Sequence, residues 1–198
     1  MRARLRSPPA GWRPESTGDR IRLTEREPVP AAVLVGIVQH ARPTVLLTER
    51  TAHLSSHAGQ VALPGGRCDP GDRDAEATAL REAHEEIGLS PRAVDPIGRL
   101  PDYRTGTGYR ITPVVALVEP GAALVPAPDE VAAVFEVPLD WLMDPSRHRR
   151  HRLVLDGRTA RTFYSMPWRD AGGPQPREHF IWGATAAMLR NLYRLLAA

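Results

Sequence analysis

The 198-residue chain contains one cysteine and no lysine, and aromatic residues make up only 6% of it. A single cysteine, Cys68, cannot form an internal disulfide, so the sequence does not call for an oxidising compartment. No apolar run approaches the roughly eighteen residues that a bilayer span requires, and the basic N-terminus is not followed by the apolar block of a secretory signal. We therefore expect a cytoplasmic protein that has no membrane partner.

All 26 basic residues are arginines. Together with 23 acidic residues they give the chain a formal net charge of +3. Arginine is planar, is always charged and binds phosphate through two parallel hydrogen bonds, which is compatible with a phosphorylated small molecule as the ligand. The arginines are spread along the chain and are not gathered beside aromatic residues, so the pattern does not favour a nucleic-acid partner. An apolar content of 42% is typical of a folded globular core and excludes disorder of the whole chain.

The chain divides into a polar arm and one domain. Residues 1–30 carry five prolines and scattered arginines, which predicts an extended arm, and residues 31–198 are interpreted as a single domain. Apolar and β-branched runs predict strands at 31–38, 44–48, 94–100, 109–118, 131–137, 153–155 and 161–165. Helices are predicted at about 74–87 and 181–196. Strands before, between and after two helices favour an α/β or α+β sandwich built on a mixed sheet.

The helix predicted over residues 74–87 carries three carboxylates on one face. At about 100° per residue, Glu82, Glu85 and Glu86 lie within an arc of about 100°, opposite the apolar positions. Like charges at these spacings repel, and acids near a helix C-terminus also oppose the helix dipole. A divalent cation would offset both costs, and oxygen ligands without a neighbouring His or Cys pair favour Mg²⁺ or Mn²⁺ over Zn²⁺. A solvated acidic face is the alternative interpretation of this pattern.

The segment around this helix resembles the signature box of the Nudix hydrolases. Residues 81–89 read Arg-Glu-Ala-His-Glu-Glu-Ile-Gly-Leu and match every specified position of the second half of that box. The first half departs, because Arg73 stands where counting back from Arg81 places the first glutamate, and Gly66 lies one residue too early. Three nearby acids are candidates to replace the missing glutamate: Asp69, Asp72 and Glu76.

Upstream of the box, the chain is similar to the coenzyme A pyrophosphatase branch of the same family. The branch element Leu-Leu-Thr-any-Arg is matched by residues 46–50, and its glycine and Pro-Gly-Gly are matched by Gly59 and residues 64–66. Three residues depart from the branch: Thr51, Ser55 and Leu63. Ser55 replaces an arginine whose charge could meet substrate phosphate, which leaves specificity for coenzyme A open while the hydrolase class stands.

The resemblance implies a Nudix-type α/β/α sandwich with a central mixed β-sheet. It implies a hydrolase that uses Mg²⁺ or Mn²⁺ to cleave a diphosphate linking a nucleoside to another group. In the coenzyme A branch the products are 3′,5′-ADP and 4′-phosphopantetheine. Two alternatives stay open: the same chemistry on ADP-ribose, a dinucleotide or a nucleoside triphosphate, and a non-catalytic Nudix-fold binding module. The presence of Arg81 and all three glutamates of the box argues against the last alternative.

The resemblance also implies roles for individual residues. Glu82, Glu85 and Glu86 are the predicted metal ligands, with Glu85 either a third ligand or the partner of Arg81. The predicted catalytic residues are Arg81, Glu82 and Glu85. The predicted substrate-binding residues are Arg50, Gly65, Gly66, Tyr103 and Tyr109. The general base is left open between a glutamate of the box and Glu130.

Three further expectations concern residues outside the box. The basic run 147–152 either forms an exposed loop and strand edge or meets a 3′-phosphate of the substrate. Tyr103 and Tyr109 either stack on an adenine or only pack. Trp182 is expected in the core, and a homodimer is compatible with the sequence.

Overall fold

The computed structural model describes residues 1–15, 27–52, 59–155, 159–170 and 176–198. Within these residues the chain forms four helices and eleven strands. Helices α1 to α4 span Arg2–Arg6, Ala75–Ile87, Leu139–Leu142 and Gly183–Ala197. Strands β1 to β11 span Val29–Val38, Thr44–Arg50, Val61–Ala62, Gly65–Arg67, Val94–Arg99, Tyr103–Arg104, Tyr109–Val118, Val131–Pro138, Arg149–Leu155, Thr159–Asp170 and Arg177–Trp182.

A mixed sheet of eight strands forms the centre of the fold. Strand β1 pairs in parallel with β7 along the full length of both strands, and it pairs in antiparallel fashion with β2 and β4. Strand β8 extends the sheet beyond β2, and β5 pairs with β7. A parallel pair requires a crossover connection, and α2 lies in the segment that connects β1 to β7. The strands predicted at 31–38, 44–48, 94–100, 109–118 and 131–137 are all confirmed within one or two residues.

The two faces of the sheet carry separate apolar cores. Because successive side chains of a strand point to opposite faces, Ala32 and Leu34 of β1 pack with Ala83 of α2, whereas Val33 and Val35 pack on the other side. That second side is covered by α4 and by a three-stranded sheet of order β11-β10-β9. The expected sandwich with a central mixed sheet is therefore confirmed, and one of its outer layers contains a small sheet beside the helix. None of the helices in the described ranges is long and apolar enough to span a membrane.

The last helix begins later than predicted. It starts at Gly183, and Ile181 and Trp182 instead end strand β11. In the register with β10, Ile181 lies opposite Met166 and both are buried, so the next residue along the strand points outward. Trp182 is accordingly 37% exposed. The expectation that Trp182 belongs to the core is wrong.

The start of the N-terminal arm packs against the domain. Residues Arg2–Arg6 form helix α1, so the expectation of an extended conformation is wrong for this part of the arm. Leu5 is 7% exposed and belongs to the same core as α4. Glu15, at the other end of the described arm, forms an ion pair with Arg190 of α4 at 2.7 Å. The arm is therefore attached to the domain at both ends of its described part.

Candidate active site

Helix α2 begins and ends where the sequence predicts. The Asp74 side chain caps its start by accepting a hydrogen bond of 2.9 Å from the backbone N–H of Ala77. Gly88 ends the helix in the left-handed conformation, with a φ of 67°. The apolar face, which includes Ala79 and Ala83, is buried against the sheet. The carboxylates of Glu82 and Glu86 border this face and lie beside Gly66 and Gly65 of β4, the strand that precedes the helix.

Arg81 lies at the centre of a hydrogen-bonded group of side chains, here called the Arg81 cluster: Arg81, Asp72, Glu82 and Glu85. Its Nε and Nη2 donate to the two carboxylate oxygens of Asp72 at 3.1 and 2.9 Å. Its Nη1 donates to Glu82 at 3.0 Å and to Glu85 at 2.9 Å. Nη2 also donates to the backbone carbonyl of Arg67 at 3.0 Å. The guanidinium thus fixes the positions of two box glutamates relative to the strand in front of them.

Of the three candidates for the missing box glutamate, Asp72 binds Arg81 most closely. Bonds from Arg81 lower the pKa of Asp72 far below its usual value, and the Thr78 hydroxyl donates a further bond of 2.9 Å. Of the other two candidates, Glu76 pairs with Arg99 and Asp69 lies 3.8 Å from Arg81. Asp72 follows Gly66 by six positions, which is the spacing of the glycine and the first glutamate in the box. The chain therefore has one residue more than the box, and this residue lies between Asp72 and Arg81.

Glu86 lies in a buried pocket, here called the Glu86 pocket: Glu86, Gly65 and Arg50. Glu86 is only 5% exposed, and burial raises its pKa to about 7. One carboxylate oxygen accepts a bond of 3.0 Å from the backbone N–H of Gly65, and the other lies 3.5 Å from Nη1 of Arg50. The charges of Glu82 and Glu130 oppose ionisation. Burial, together with these two charges, therefore disfavours the ionised form of Glu86 by more than Arg50 and the N–H of Gly65 favour it.

Two glycines, Gly65 and Gly66, lie beside the helix carboxylates in strand β4, here called the glycine strand. A Cβ on Gly66 would lie 2.5 Å from the carboxylate carbon of Glu82. Gly65 has a φ of 152°, and a Cβ there would lie 2.3 Å from the backbone oxygen of Ala32. Glycine is therefore required at Gly65, a side chain at Gly66 would displace the carboxylate of Glu82, and the helix carboxylates approach the backbone of β4 closely. Burial also raises the pKa of Glu82, although Arg81 is bound to it.

The structure brings together three of the predicted substrate-binding residues. Arg50, Gly65 and Gly66 surround the carboxylates of Glu82 and Glu86. Ser55, the departure from the coenzyme A element, lies outside the described residues.

The two tyrosines of the prediction have different surroundings. Tyr103 is 3% exposed and belongs to the apolar core, so the predicted substrate contact is wrong for Tyr103 and its role is packing. Tyr109 is partly exposed, and its hydroxyl accepts a bond of 3.3 Å from Nη2 of Arg67. Both tyrosines flank the same glycine-containing hairpin, and the sequence does not distinguish the buried one from the exposed one.

The other charged residues that the sequence singled out lie at the surface. Glu130 is exposed, next to the start of β8. In the basic run, Arg149, Arg150 and Arg152 are exposed on β9, an edge strand of the small sheet, which agrees with the expected strand edge. His148 is the exception, because it is 9% exposed and its Nε2 lies 2.7 Å from the carbonyl oxygen of Leu142.

The donor set of the site fits a hard divalent cation. Among the described residues, no group of three or more His, Cys, Asp or Glu side chains is arranged to hold a metal ion. Mg²⁺, however, is usually bound through one or two carboxylates, and water and substrate phosphates complete its octahedron. Glu82 and Glu86 provide two carboxylates whose burial disfavours their ionised forms, as the raised pKa values of both groups indicate. A cation would remove that cost, so the residues present fit Mg²⁺ or Mn²⁺.

A helix whose carboxylates face the two glycines of β4, with arginines nearby, is suited to bind a divalent cation and a phosphate group. The sequence pattern of the NUDIX domain matches residues 28–156, which is more than half of the chain. The chain belongs to the Nudix hydrolase family.

Relatives and solved structures agree with this assignment. The chain is 43% identical over 162 residues to the uncharacterized Nudix hydrolase NudL of Escherichia coli strain K12, covering 82% of this chain and 80% of NudL. It is 42% identical over 170 residues to NudL of Shigella flexneri, covering 84% of each chain. A MutT/nudix family protein from Enterococcus faecalis has the same fold, with a TM-score of 0.51 at 17% identity, covering 90% of this chain and 64% of that one.

Proposed function

We propose that the protein is a Mg²⁺- or Mn²⁺-dependent hydrolase of coenzyme A or its derivatives, with 3′,5′-ADP and 4′-phosphopantetheine as the products. One observation carries the proposal: Arg50, the last matched residue of the coenzyme A element at 46–50, lies at the carboxylate of Glu86. The element that resembles the coenzyme A branch and the box that resembles the whole family therefore meet at one site. The single free cysteine is compatible with the cytoplasm, where coenzyme A is found.

Each residue of the site has a proposed role in this reaction. Glu82 and Glu86 would hold the cation, which neutralises phosphate charge and acidifies a bound water. Arg81 holds Glu82 and Glu85 in place, and Asp72 in turn orients Arg81. Gly65 and Gly66 allow the diphosphate to approach the backbone, and Arg50 contributes positive charge on the side of the pocket. The general base is a glutamate of the box or Glu130, whose charge acts on Glu86.

A substrate panel tests the proposal. We expect a higher kcat/KM for coenzyme A than for ADP-ribose or NADH, with hydrolysis only when Mg²⁺ or Mn²⁺ is added. Mass spectrometry should identify 3′,5′-ADP and 4′-phosphopantetheine as the products. A higher kcat/KM for ADP-ribose, or different products from coenzyme A, would contradict the assignment of the substrate. Turnover that is unchanged in the presence of a chelator would contradict the assignment of the cation.

A further inference from the structure

Arg67 is a guanidinium near the site that forms no ion pair with a carboxylate among the described residues, although the charge of Asp69 acts on it. It is the last residue of β4, directly follows Gly66 and is exposed to solvent. Its Nη2 donates to the hydroxyl of Tyr109 at 3.3 Å, and its guanidinium carbon lies 6.0 Å from the centre of that ring. Within the described part of the chain, Arg67 forms no ion pair. Arg81, by contrast, binds Asp72 and two glutamates, so it has little remaining capacity for an anionic ligand.

Arg67 lies on the other side of the glycine strand from the carboxylates. Gly66 faces Glu82, and successive residues of a strand point to opposite faces, so the Arg67 side chain extends on the Tyr109 side. The two residues are adjacent, with Cα atoms about 3.8 Å apart. The strand between the two faces consists of Gly65 and Gly66, and it presents no side chain to a ligand that crosses it. A substrate bound to the carboxylates can therefore reach Arg67 by passing over these glycines.

The position of Arg67 is fixed at its backbone and at its side chain. Its carbonyl oxygen accepts a bond of 3.0 Å from Arg81, which ties β4 to the catalytic helix. At the other end, the Tyr109 hydroxyl accepts from the guanidinium and leaves its other N–H groups available. A neutral phenol orients the cation without neutralising its charge. Such a guanidinium is suited to bind a phosphate through two parallel hydrogen bonds.

We propose that Arg67, oriented by Tyr109, binds a phosphate group of the substrate across the glycine strand from Glu82 and Glu86. The inference rests on the proposed function, because it takes the substrate to be a nucleoside diphosphate derivative. The phosphate comes from one of two sources: the diphosphate itself, or a further phosphate such as the 3′-phosphate of coenzyme A. Arg67 is then a specificity-determining residue of this chain.

The test compares Arg67→Ala with Arg73→Ala. Arg73 is a matched control because it is an exposed arginine of the same β4–α2 connection, and its nearest acid is Asp74 at 3.8 Å. We expect Arg67→Ala to raise KM by about 10-fold or more and to change kcat by less than about 3-fold, because charge-assisted bonds to phosphate are strong. Tyr109→Phe keeps the ring but removes the acceptor, and we expect a rise in KM of about 3-fold. Arg73→Ala should leave both constants unchanged.

Two further measurements identify the phosphate and separate this inference from the proposed function. If Arg67→Ala raises KM for coenzyme A but not for 3′-dephospho-coenzyme A, Arg67 binds the 3′-phosphate; equal effects place it at the diphosphate. Calorimetry with 3′,5′-ADP and with pyrophosphate should show weaker binding to Arg67→Ala than to Arg73→Ala. Equal KM values and equal binding in these two variants would overturn the inference. A wild-type protein that hydrolyses no member of the panel would refute the proposed function, and the calorimetry would still test Arg67.

Discussion

Glu82 of the Arg81 cluster and Glu86 of the Glu86 pocket lie one turn apart on α2, and the two regions differ in how closely a guanidinium meets each carboxylate. In the cluster, every carboxylate meets a guanidinium nitrogen at 3.1 Å or less. Bonds from Arg81 lower the pKa of Asp72 far below its usual value. In the pocket, Arg50 is 3.5 Å from Glu86, and burial raises the pKa of Glu86 to about 7. The Arg81 cluster therefore gives each of its carboxylates a close guanidinium nitrogen, whereas Arg50 offsets the burial of Glu86 only in part.

This difference assigns different tasks to the two regions. A cluster whose carboxylates are all hydrogen-bonded to one guanidinium can position the glutamates in advance of a ligand. A buried carboxylate whose ionised form is disfavoured gains most from a cation, because the cation removes the cost of ionisation. Under the proposed function, metal binding would depend on the Glu86 pocket, and the orientation of the site would depend on the Arg81 cluster.

The largest effect is expected from changes that remove a carboxylate next to the glycine strand. Glu86→Gln and Glu82→Gln should each lower kcat by more than about 100-fold at saturating Mg²⁺, because loss of even the outer partners of a metal ligand costs 10- to 100-fold. Both proteins should remain folded, as judged by circular dichroism. Glu85→Gln is the control: its side chain is 56% exposed and contacts Arg81, so we expect a loss of about 10-fold or less. A loss equal to that of Glu82→Gln would make Glu85 a metal ligand.

A smaller effect is expected when the Arg81 cluster is opened. Asp72→Asn replaces the anionic partner of Arg81 and should lower kcat by about 10- to 100-fold, together with a lower Tm. Asp72→Glu, which introduces the residue of the family box, should retain more of the activity. The control is Asp69→Asn, because Asp69 is 60% exposed at the side chain and 3.8 Å from Arg81. Equal kinetics in the two asparagine variants would show that Asp72 does not position Arg81.

A still smaller effect on kcat is expected when a methyl group is added to the glycine strand. Gly66→Ala places a Cβ 2.5 Å from the carboxylate carbon of Glu82, and this carboxylate is the end of a flexible side chain that can move away. We therefore expect kcat to fall by about 10-fold with little change in Tm. Gly71→Ala is the control, because a Cβ at Gly71 meets no atom within 4 Å. A large loss of Tm in Gly66→Ala alone would assign the glycine to folding and not to the site.

A last effect concerns stability in the absence of metal, where no change in turnover is measured. The pKa of Glu86 is higher in the folded chain than its ordinary value of 4.5, so the folded state binds the proton more tightly. Stability conferred by this group is therefore lost as the pH rises from about 4.5 to about 7. Relative to Glu86→Gln, the wild type should lose up to about 3 kcal/mol of unfolding free energy over this range in EDTA. Urea unfolding at several pH values measures this, and a difference that does not vary with pH would contradict it.

Most of the fold was predictable from sequence patterns that lie within a single helix or strand. Helix α2 carries its cap, its apolar face and its terminal glycine within one segment, and its predicted bounds differ from the observed ones by one residue. Long apolar strands such as β7 were also predicted, because continuous burial gives a continuous apolar run. Strand β4 was not predicted, because Gly65–Arg67 has no apolar pattern and becomes a strand only through pairing with β1. Strand β11 was missed for a related reason, since its end was assigned to the following helix.

The residues of the candidate site were predictable where they belong to a sequence motif. They were less predictable where their surroundings depend on burial in the folded chain. The box identified Arg81, Glu82 and Glu86, which the structure places close together. The catalytic and metal-binding roles of these residues stay predictions. Asp72 was one of three candidates, and its spacing from Gly66 was the signal that could have selected it. The surroundings of Tyr103 and Arg67 depend on tertiary structure, because only the folded sheet decides that Tyr103 is buried and Arg67 is exposed.

The contact between Leu5 and Gly98 makes the first residues of the chain a part of the folded unit. Gly98 has a φ of 155°, and the Leu5 side chain occupies the space where a Cβ would lie, at 2.7 Å. The region matched by the family begins only at residue 28. Truncating the protein to that boundary would therefore remove Leu5 from β5 and expose to solvent an apolar surface that is covered in the intact chain.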